Sequence, residues 1–268
     1  MRVGFLIDGI CPGANQFIYT LTNYLSSITG FFHGWQGLLE NDFKLIRANE
    51  IEQFKKMGGS IVGSTRKISI FHDWKSKVIR VLTMNHIDLL VVLGSERSFP
   101  MVSELFSAGV KVVLLPCADS GSFCFSYRLG LTTVTLQLLN FFHSLNRYDH
   151  GSVTVLFPNG IEDVISKLRL ASDFVLLRES DKASVIFRNH PARETTTIKI
   201  LGMLSSAFPE KKDIEFARVC AKKLVDYLDN PKGGVLAEID GGLKIIPLQY
   251  IKSQTEFTVE RILEKVRE

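Results

Sequence analysis

The sequence predicts an α/β protein in which helices cover both faces of parallel sheets. Apolar, β-rich runs alternate along the chain with stretches that carry apolar residues at helical spacing. The strand-like runs are apolar throughout, which is typical of strands buried on both faces. One of them, residues 87–94, stops at Gly94 and continues into a helical pattern. Open α/β proteins bind phosphate at such junctions because backbone N–H groups and a helix N-terminus converge there.

Short apolar runs mark the predicted strands. They are Val3–Ile7, Leu89–Leu93, Val110–Leu115, Ser152–Phe157, Phe174–Leu177, Ser184–Phe187 and Leu243–Pro247. Apolar residues three and four apart mark the predicted helices. These are Asn15–Ser26, Lys75–His86, Met101–Ala108, Thr132–Ser144, Glu162–Ala171, Ile214–Leu228 and Thr258–Arg267.

Length and composition limit the possible classes of protein. The 268 residues, 46% of them apolar, favour two domains with sizeable cores. No run of about eighteen apolar residues is present, so we expect no transmembrane helix and no membrane partner. The first apolar run ends at Asp8 and is interpreted as a strand rather than a signal peptide. A net charge of +4 gives no indication of nucleic-acid binding.

The cysteines follow no metal-binding or disulfide pattern. Cys11, Cys117, Cys124 and Cys220 show no CxxC spacing. This favours a reduced chain with incidental thiols and a cytoplasmic location.

Glycine-containing motifs follow one another in a definite order. They are Gly4–Asn15, Gly30–Leu39, Gly58–Arg66, Gly94–Ser98, Pro116–Gly121, Tyr127–Gly130 and Gly233–Ile239. In this order they resemble the SGGDAPGMN, GxxxG[YW]xGL, GGTxLGSxR, GGDGS, PGTIDND and YTIG segments and the last glycine-rich strand of the ATP- and pyrophosphate-dependent 6-phosphofructokinases. The chain is similar to this family along almost its whole length.

The resemblance implies two Rossmann-like parallel-sheet domains in the phosphofructokinase-type arrangement. Residues 1–130 and 208–250 would form the phosphate-donor domain, and residues 131–207 and 251–268 a smaller sugar-phosphate domain. Too little chain lies between Glu179 and Ser184, and between Asn189 and Thr195, for two helices of the family. We therefore expect the second domain to be trimmed.

On the donor side, the resemblance assigns nucleotide or pyrophosphate binding to five residues. They are Gly9, Gly13, Gly94, Ser95 and Ser98. If a donor is bound, it would be ATP or pyrophosphate with Mg²⁺; the alternative is that no cofactor binds. Glu96 stands where the family has its magnesium-binding aspartate.

Three other residues depart from the family pattern on this side. Asp8 replaces the first glycine of SGGD, and its carboxylate would repel a phosphate. Ile10 replaces the aspartate of the same motif. Arg97 replaces a glycine that lets phosphate approach the backbone, so it either obstructs the donor or contacts its phosphate.

Two residues are candidates for catalysis. Arg66 matches the family's transition-state arginine, with a surface arginine in a polar loop as the alternative. With a one-residue gap, Asp119 matches the aspartate that accepts the sugar's proton. Otherwise Asp119 is a turn or helix-capping residue, which the sequence Asp-Ser-Gly favours on its own.

The sugar-phosphate side has lost most of the family's charged ligands. Asn159, Thr197, Ser206 and His150 stand at or near positions of arginines or a histidine. Glu179 resembles the glutamate of the family's PE pair and remains a candidate substrate ligand. Each lost arginine removes charge-assisted hydrogen bonds of about 1.5–3 kcal/mol.

These departures predict a divergent phosphofructokinase-family protein with lost or strongly reduced phosphotransferase activity. Its role would be structural or regulatory, in a homo- or hetero-oligomer with an active paralogue or a larger assembly. One alternative is a working phosphotransferase of altered substrate that uses Asp119, Arg66 and Glu96. Another alternative is a nucleotide-sensing module.

Overall fold

The computed structural model describes residues 1–64, 72–95, 97–120, 128–145, 153–157, 161, 164–165, 174–178, 196–229, 231–239 and 242–248. Its strands are β1 Val3–Asp8, β2 Ile28–Phe31, β3 Phe43–Ile46, β4 Leu89–Gly94, β5 Val112–Pro116, β6 Val153–Phe157, β7 Phe174–Arg178, β8 Thr196–Lys199, β9 Gly234–Ile239 and β10 Gly242–Ile246. Its helices are α1 Ala14–Tyr24, α2 Trp35–Glu40, α3 Ala48–Ile51, α4 Trp74–Met84, α5 Ser98–Ser107, α6 Leu131–Leu145, α7 Leu201–Ser205 and α8 Lys211–Tyr227. A 3₁₀ turn, Glu52–Phe54, follows α3.

A seven-stranded sheet forms the centre of the larger part, in the order β10-β9-β5-β4-β1-β2-β3. Its inner strands β9, β5, β4, β1 and β2 run parallel, which agrees with the predicted parallel arrangement, although β2 was not among the predicted strands. The two edge strands, β3 and β10, are antiparallel to their neighbours. The edges differ from the prediction of parallel sheets. Strand β10 follows β9 through a short turn, which favours antiparallel pairing, whereas β3 returns antiparallel to β2 after the connection that contains α2.

Both faces of this sheet are buried, which explains its uninterrupted apolar strands. Successive side chains of β1 point to opposite faces. Phe5 joins the cluster that contains Phe17 of α1 and Leu224 of α8. Leu6 joins the opposite cluster with Trp35 and Val102. Helices α1 and α8 therefore cover one face, and α2, α4 and α5 cover the other.

A second, three-stranded sheet has the order β7-β6-β8 and is parallel throughout. Helices α6 and α7 pack in a third apolar cluster that includes Val155 of β6 and Ile10 from the loop after β1. The predicted strand Ser184–Phe187 and the predicted helix Thr258–Arg267 lie outside the described residues, as does nearly all of Glu162–Ala171. The domain boundaries at residues 130, 207 and 250 stay a prediction.

None of the helices in the described part of the chain has both the length and the apolar character needed to cross a bilayer.

Candidate active site

The candidate site lies at the carboxyl edge of β1, β4 and β5. After β1 the chain moves to β2 on one side of the sheet, whereas β4 and β5 lie on the other side. This reversal leaves a crevice beyond the carboxyl ends of β1 and β4. Loops that follow these strands carry Asp8–Gly13, Gly94–Ser98 and Cys117–Asp119.

Asp8 is the most unusual residue of this edge, because its carboxyl group is buried and satisfied from within the protein. Its side chain is 2% exposed. Oδ2 accepts a hydrogen bond of 2.7 Å from Ser98 Oγ, at the start of α5. The same oxygen accepts a hydrogen bond of 3.1 Å from Nε1 of Trp35. The carboxylate thus lies at a helix N-terminus, where a bound anion would otherwise be favoured.

Burial raises the pKa of Asp8 to about 6 from its ordinary value of 3.8. The hydrogen bonds from Ser98 and Trp35 and the positive charge of Arg97 act in the opposite direction. The negative charge of Asp119 adds to the increase. Near neutral pH Asp8 is therefore largely ionised, and its buried charge lies close enough to Asp119 to interact with it.

Side chains of the protein itself occupy the space beside the backbone of Gly9 and Gly94. A Cβ on Gly94 would lie 2.5 Å from Ser98 Oγ and 2.9 Å from Cδ1 of Leu114. A Cβ on Gly9 would lie 2.8 Å from Asp119 Oδ1. Both glycines thus allow neighbouring side chains to pack against the backbone where a phosphate cradle would leave room for a ligand.

Gly13 has a structural role at the start of α1. Its φ of 98° lies in the left-handed region that disfavours other residues. A Cβ there would approach the backbone oxygen of Asp213 to 3.3 Å. The glycine therefore permits both the turn into α1 and the packing of that turn against α8.

Ser95 is the one predicted donor-binding residue whose polar atom has no partner among the described residues. Its side chain is 2% exposed, and Oγ makes no hydrogen bond there. A buried hydroxyl without a partner costs about 1–3 kcal/mol. A ligand or a water molecule at this edge would satisfy it.

Asp119 holds the loop after β1 in place. Its side chain is 1% exposed, and Oδ1 accepts a 2.8 Å hydrogen bond from the amide of Ile10. The amide of Ala118 in turn donates to the carbonyl of Ile10 at 3.1 Å. These two bonds fasten the β1 and β5 loops together. The contact of Asp119 joins distant parts of the chain, so it is neither the local turn nor the helix cap that its sequence suggests, and its catalytic role stays a prediction.

A cleft of about 510 Å³ opens beside this edge. It is lined mainly by glycine and serine, with one thiol: Ile7, Gly9, Cys11, Gly59, Ser60, Gly63, Ser64, Leu201, Ser205 and Ser206. Asn15 fixes one wall, because its Oδ1 accepts a 2.9 Å hydrogen bond from the amide of Ile61. The other wall is the end of α7, against which Gly58 packs closely.

Three predicted site residues, Arg66, Glu96 and Glu179, lie outside the described residues. Within the described ranges, no group of three or more histidine, cysteine, aspartate or glutamate side chains is arranged to hold a metal ion. At the described part of this edge, a buried serine hydroxyl without a partner, that of Ser95, lies near the buried carboxyl group of Asp8 at the start of α5.

Sequence reasoning missed the parts played by Trp35 and Asp213. Trp35 lies in the Gly34-Trp35-Gln36-Gly37 motif, whose helix directs the indole N–H toward Asp8. Asp213 is fully buried on α8 and accepts hydrogen bonds from the amides of Gly130 (3.1 Å) and Thr133 (2.7 Å) at the start of α6. An acidic residue in an amphipathic helix gave no sign of this capping role, because its partners lie about eighty residues away.

The chain is similar to curated phosphofructokinases over about half of its length. It is 30% identical over 141 residues to the pyrophosphate–fructose 6-phosphate 1-phosphotransferase of Amycolatopsis methanolica, covering 50% of this chain and 41% of that protein. It is 28% identical over 121 residues to the ATP-dependent 6-phosphofructokinase of Buchnera aphidicola, covering 43% of this chain and 38% of that protein. These matches span about two fifths of the length of either relative.

Solved structures share the fold across nearly the whole chain. The phosphofructokinase of Pichia pastoris has a TM-score of 0.66 at 13% identity, covering 98% of this chain and 40% of its own. The pyrophosphate-dependent phosphofructokinase of Marinobacter aquaeolei has a TM-score of 0.59 at 11% identity, and the match covers 99% of this chain and 91% of that protein. The predicted α/β fold class is confirmed by these matches.

The family model named Phosphofructokinase matches residues 3–154. This range is more than half of the 268 residues, and it contains the site edge built by β1, β4 and β5. The chain therefore belongs to the phosphofructokinase family.

Proposed function

We propose that this protein is a phosphofructokinase-family member with lost or strongly reduced phosphotransferase activity and a structural or regulatory role. The observation that carries the proposal is the buried carboxyl group of Asp8, bound by Ser98 and Trp35 at the start of α5. It supplies the negative charge that a donor phosphate would bring to the same helix N-terminus.

Charge repulsion gives the expected size of the loss in affinity for a phosphate donor. Two unit charges about 4 Å apart repel by about 4 kcal/mol at an effective dielectric constant of about 20. A penalty of this size weakens binding by roughly a thousandfold. Pyrophosphate and ATP carry several charges, so an ionised Asp8 disfavours both donors.

The environment of Asp119 argues in the same direction. A general base must come within hydrogen-bond reach of the proton that it accepts. Asp119 is 1% exposed, and its Oδ1 accepts from the amide of Ile10. The burial of this carboxyl group and its existing hydrogen bond both restrict the approach of a sugar hydroxyl.

Calorimetric titration with magnesium pyrophosphate and magnesium ATP tests the proposal. The wild-type protein should bind both weakly, and Asp8→Gly, the residue that the family motif has here, should bind at least tenfold more tightly. Asp42→Asn removes an exposed carboxylate and should leave binding unchanged, and circular dichroism checks that both variants fold. Wild-type affinity in the micromolar range, unchanged in Asp8→Gly, would overturn the proposal.

A second candidate, ligand sensing without phosphoryl transfer, is favoured by Ser95 and the cleft. Among the described residues the Ser95 hydroxyl has no hydrogen-bond partner, and it and the serine-lined cleft of about 510 Å³ supply neutral polar groups for a small ligand. Thermal unfolding with ATP, ADP, AMP or pyrophosphate would detect it, since a ligand at 100 times its Kd stabilises by about 2.7 kcal/mol. No shift with any of the four at millimolar concentration would exclude this candidate.

The structural role would be exercised in an oligomer, with an active paralogue or a larger assembly as partner, in the cytoplasm. A fold kept over nearly the whole chain beside a site with altered charge supports this proposal. Light scattering of the protein alone and mixed with an active phosphofructokinase tests it. A monomer that forms no complex in the mixture, and no complex when isolated from its native source, would contradict it.

A further inference from the structure

Two cysteine thiols meet beside the cleft, and each belongs to a different loop of the candidate site. Cys11 follows β1, is 6% exposed and lines the cleft. Cys117 directly follows β5 and is fully buried. Both side chains belong to the same apolar cluster, and Cys11 is among the neighbours that raise the pKa of the Cys117 thiol. Both cysteines are free thiols in this structure.

Hydrogen bonds hold together the two loops that carry these cysteines. The amide of Ala118 donates to the carbonyl of Ile10 at 3.1 Å, so the residues next to the two cysteines are already paired. Asp119 adds a second tie through the amide of Ile10. Gly9 leaves room for the thiol, since a Cβ at Gly9 would lie 3.0 Å from Cβ and 3.3 Å from Sγ of Cys117.

We propose that Cys11 and Cys117 form an oxidation site, in which a small peroxide entering the cleft converts the two thiols into a disulfide. This inference goes beyond the proposed function and does not depend on it, because it uses no phosphate ligand and no turnover.

The reaction proceeds in two balanced steps. The sulfur of Cys11 attacks one oxygen of hydrogen peroxide, and the O–O bond breaks. The departing oxygen takes the Cys11 thiol proton and leaves as water, and Cys11 becomes a sulfenic acid. The sulfur of Cys117 then attacks the Cys11 sulfur and the S–O bond breaks. The departing oxygen takes the Cys117 proton and leaves as a second water. Two thiols are oxidised and one peroxide is reduced.

Accessibility decides the order of these steps. Cys11 lines the cleft and meets the oxidant first, whereas Cys117 is shielded behind it. Burial also raises the pKa of the Cys117 thiol well above its ordinary value, so Cys117 stays protonated and unreactive until a sulfenic acid forms next to it. The resulting disulfide would join the loop after β1 covalently to the loop after β5.

Peptide mapping by mass spectrometry tests the proposal on the full chain treated with stoichiometric hydrogen peroxide. The expected product is a linked pair of peptides containing Cys11 and Cys117, lost after treatment with dithiothreitol. Cys220→Ser, in α8, and Cys124→Ser, outside the described residues, should both retain the link. In Cys117→Ser, Cys11 should accumulate as a sulfenic acid that dimedone captures, which wild-type protein should not show.

Three results would overturn the proposal. The first is a link from Cys11 or Cys117 to Cys124 in place of the expected one. The second is oxidation of Cys11 to the sulfinic acid without any link. The third is an unmodified pair while other cysteines react. The wild-type map decides between these results even if Cys117→Ser does not fold.

Discussion

Nε1 of Trp35 lies 3.1 Å from Oδ2 of Asp8, so an indole from α2 donates to a carboxyl group at the end of β1. Ser98 donates to the same oxygen from the start of α5. The three residues lie in segments that resemble different motifs of the phosphofructokinase family. Their hydrogen bonds satisfy the carboxyl group at this sheet edge with groups of the protein itself. The consequences of this contact for stability and for ligand binding can be measured separately.

Replacing Asp8 with Asn should stabilise the protein at neutral and alkaline pH. The raised pKa means that the folded state holds this proton more tightly than the unfolded state does. Ionising Asp8 therefore costs folding free energy as pH rises from 3.8 through about 6. A change of this size corresponds to about 3 kcal/mol. The amide oxygen of Asn can still accept from Ser98 and Trp35 without a buried charge.

Urea unfolding from pH 4 to pH 8 measures this effect. Asp8→Asn should exceed wild type by up to about 3 kcal/mol at pH 8, and the difference should shrink to near zero at pH 4. Asp42→Asn, at an exposed position, should show no comparable pH dependence. A destabilised Asp8→Asn at pH 8 would show that the ionised carboxylate is required for folding.

Replacing Ser98 with Ala should destabilise the protein at pH 8, because Asp8 loses its 2.7 Å donor. The expected loss of unfolding free energy is about 1–3 kcal/mol. The pKa of Asp8 should rise further, since this hydrogen bond lowers it. Ser107→Ala on the same helix removes only an exposed bond to the Ser103 carbonyl and serves as the control. Equal stability of the two variants would contradict the contact between Ser98 and Asp8.

Replacing Asp213 with Asn should loosen the start of α6. Its two oxygens accept from Gly130 N, Thr133 N and Thr133 Oγ1, and an amide cannot accept all three. We expect a loss of about 1–3 kcal/mol in unfolding free energy. Asp226→Asn, exposed on the same helix, should have little effect. Faster hydrogen exchange at the start of α6 in the Asp213 variant alone would locate the defect.

Replacing Gly13 with Ala should destabilise the protein whether or not any ligand binds. Its φ of 98° costs other residues about 1–2 kcal/mol, before the contact with the Asp213 carbonyl is counted. Gly202→Ala in α7 is the matched control, because no atom lies within 4 Å of its added Cβ. That change should stabilise by about 0.4–1 kcal/mol. Differential scanning calorimetry without ligand compares the stability of the two variants. If Gly13→Ala is as stable as wild type, the glycine is not required for the fold, which would contradict this prediction.

The sequence predicted the centre of the fold well because apolar periodicity reports burial directly. Strands β1, β4 and β5 and helices α1, α4 and α5 all lie close to their predicted positions. The edge strand β3 was missed, since two of its four residues are exposed and its pattern is weak. Strand β8, Thr196–Lys199, was missed as well, because its threonines and lysine do not form an apolar run.

The site was predicted less completely, for a physical reason. Motif positions placed Gly9, Gly94, Ser98 and Asp119 at one sheet edge. They did not reveal that Asp8 turns inward to Trp35 and Ser98, because that depends on side-chain orientation across three elements. The contact of Cys11 with Cys117 likewise joins residues more than a hundred positions apart, with no local pattern to mark it.

The most direct test of the proposed loss of activity is a turnover assay with fructose 6-phosphate, Mg²⁺ and either ATP or pyrophosphate. Working kinases reach about 1–100 turnovers per second. We expect the purified protein to give no product above the level of its Asp119→Asn variant with either donor. Turnover within that range, abolished by Asp119→Asn while the fold is kept, would contradict the account.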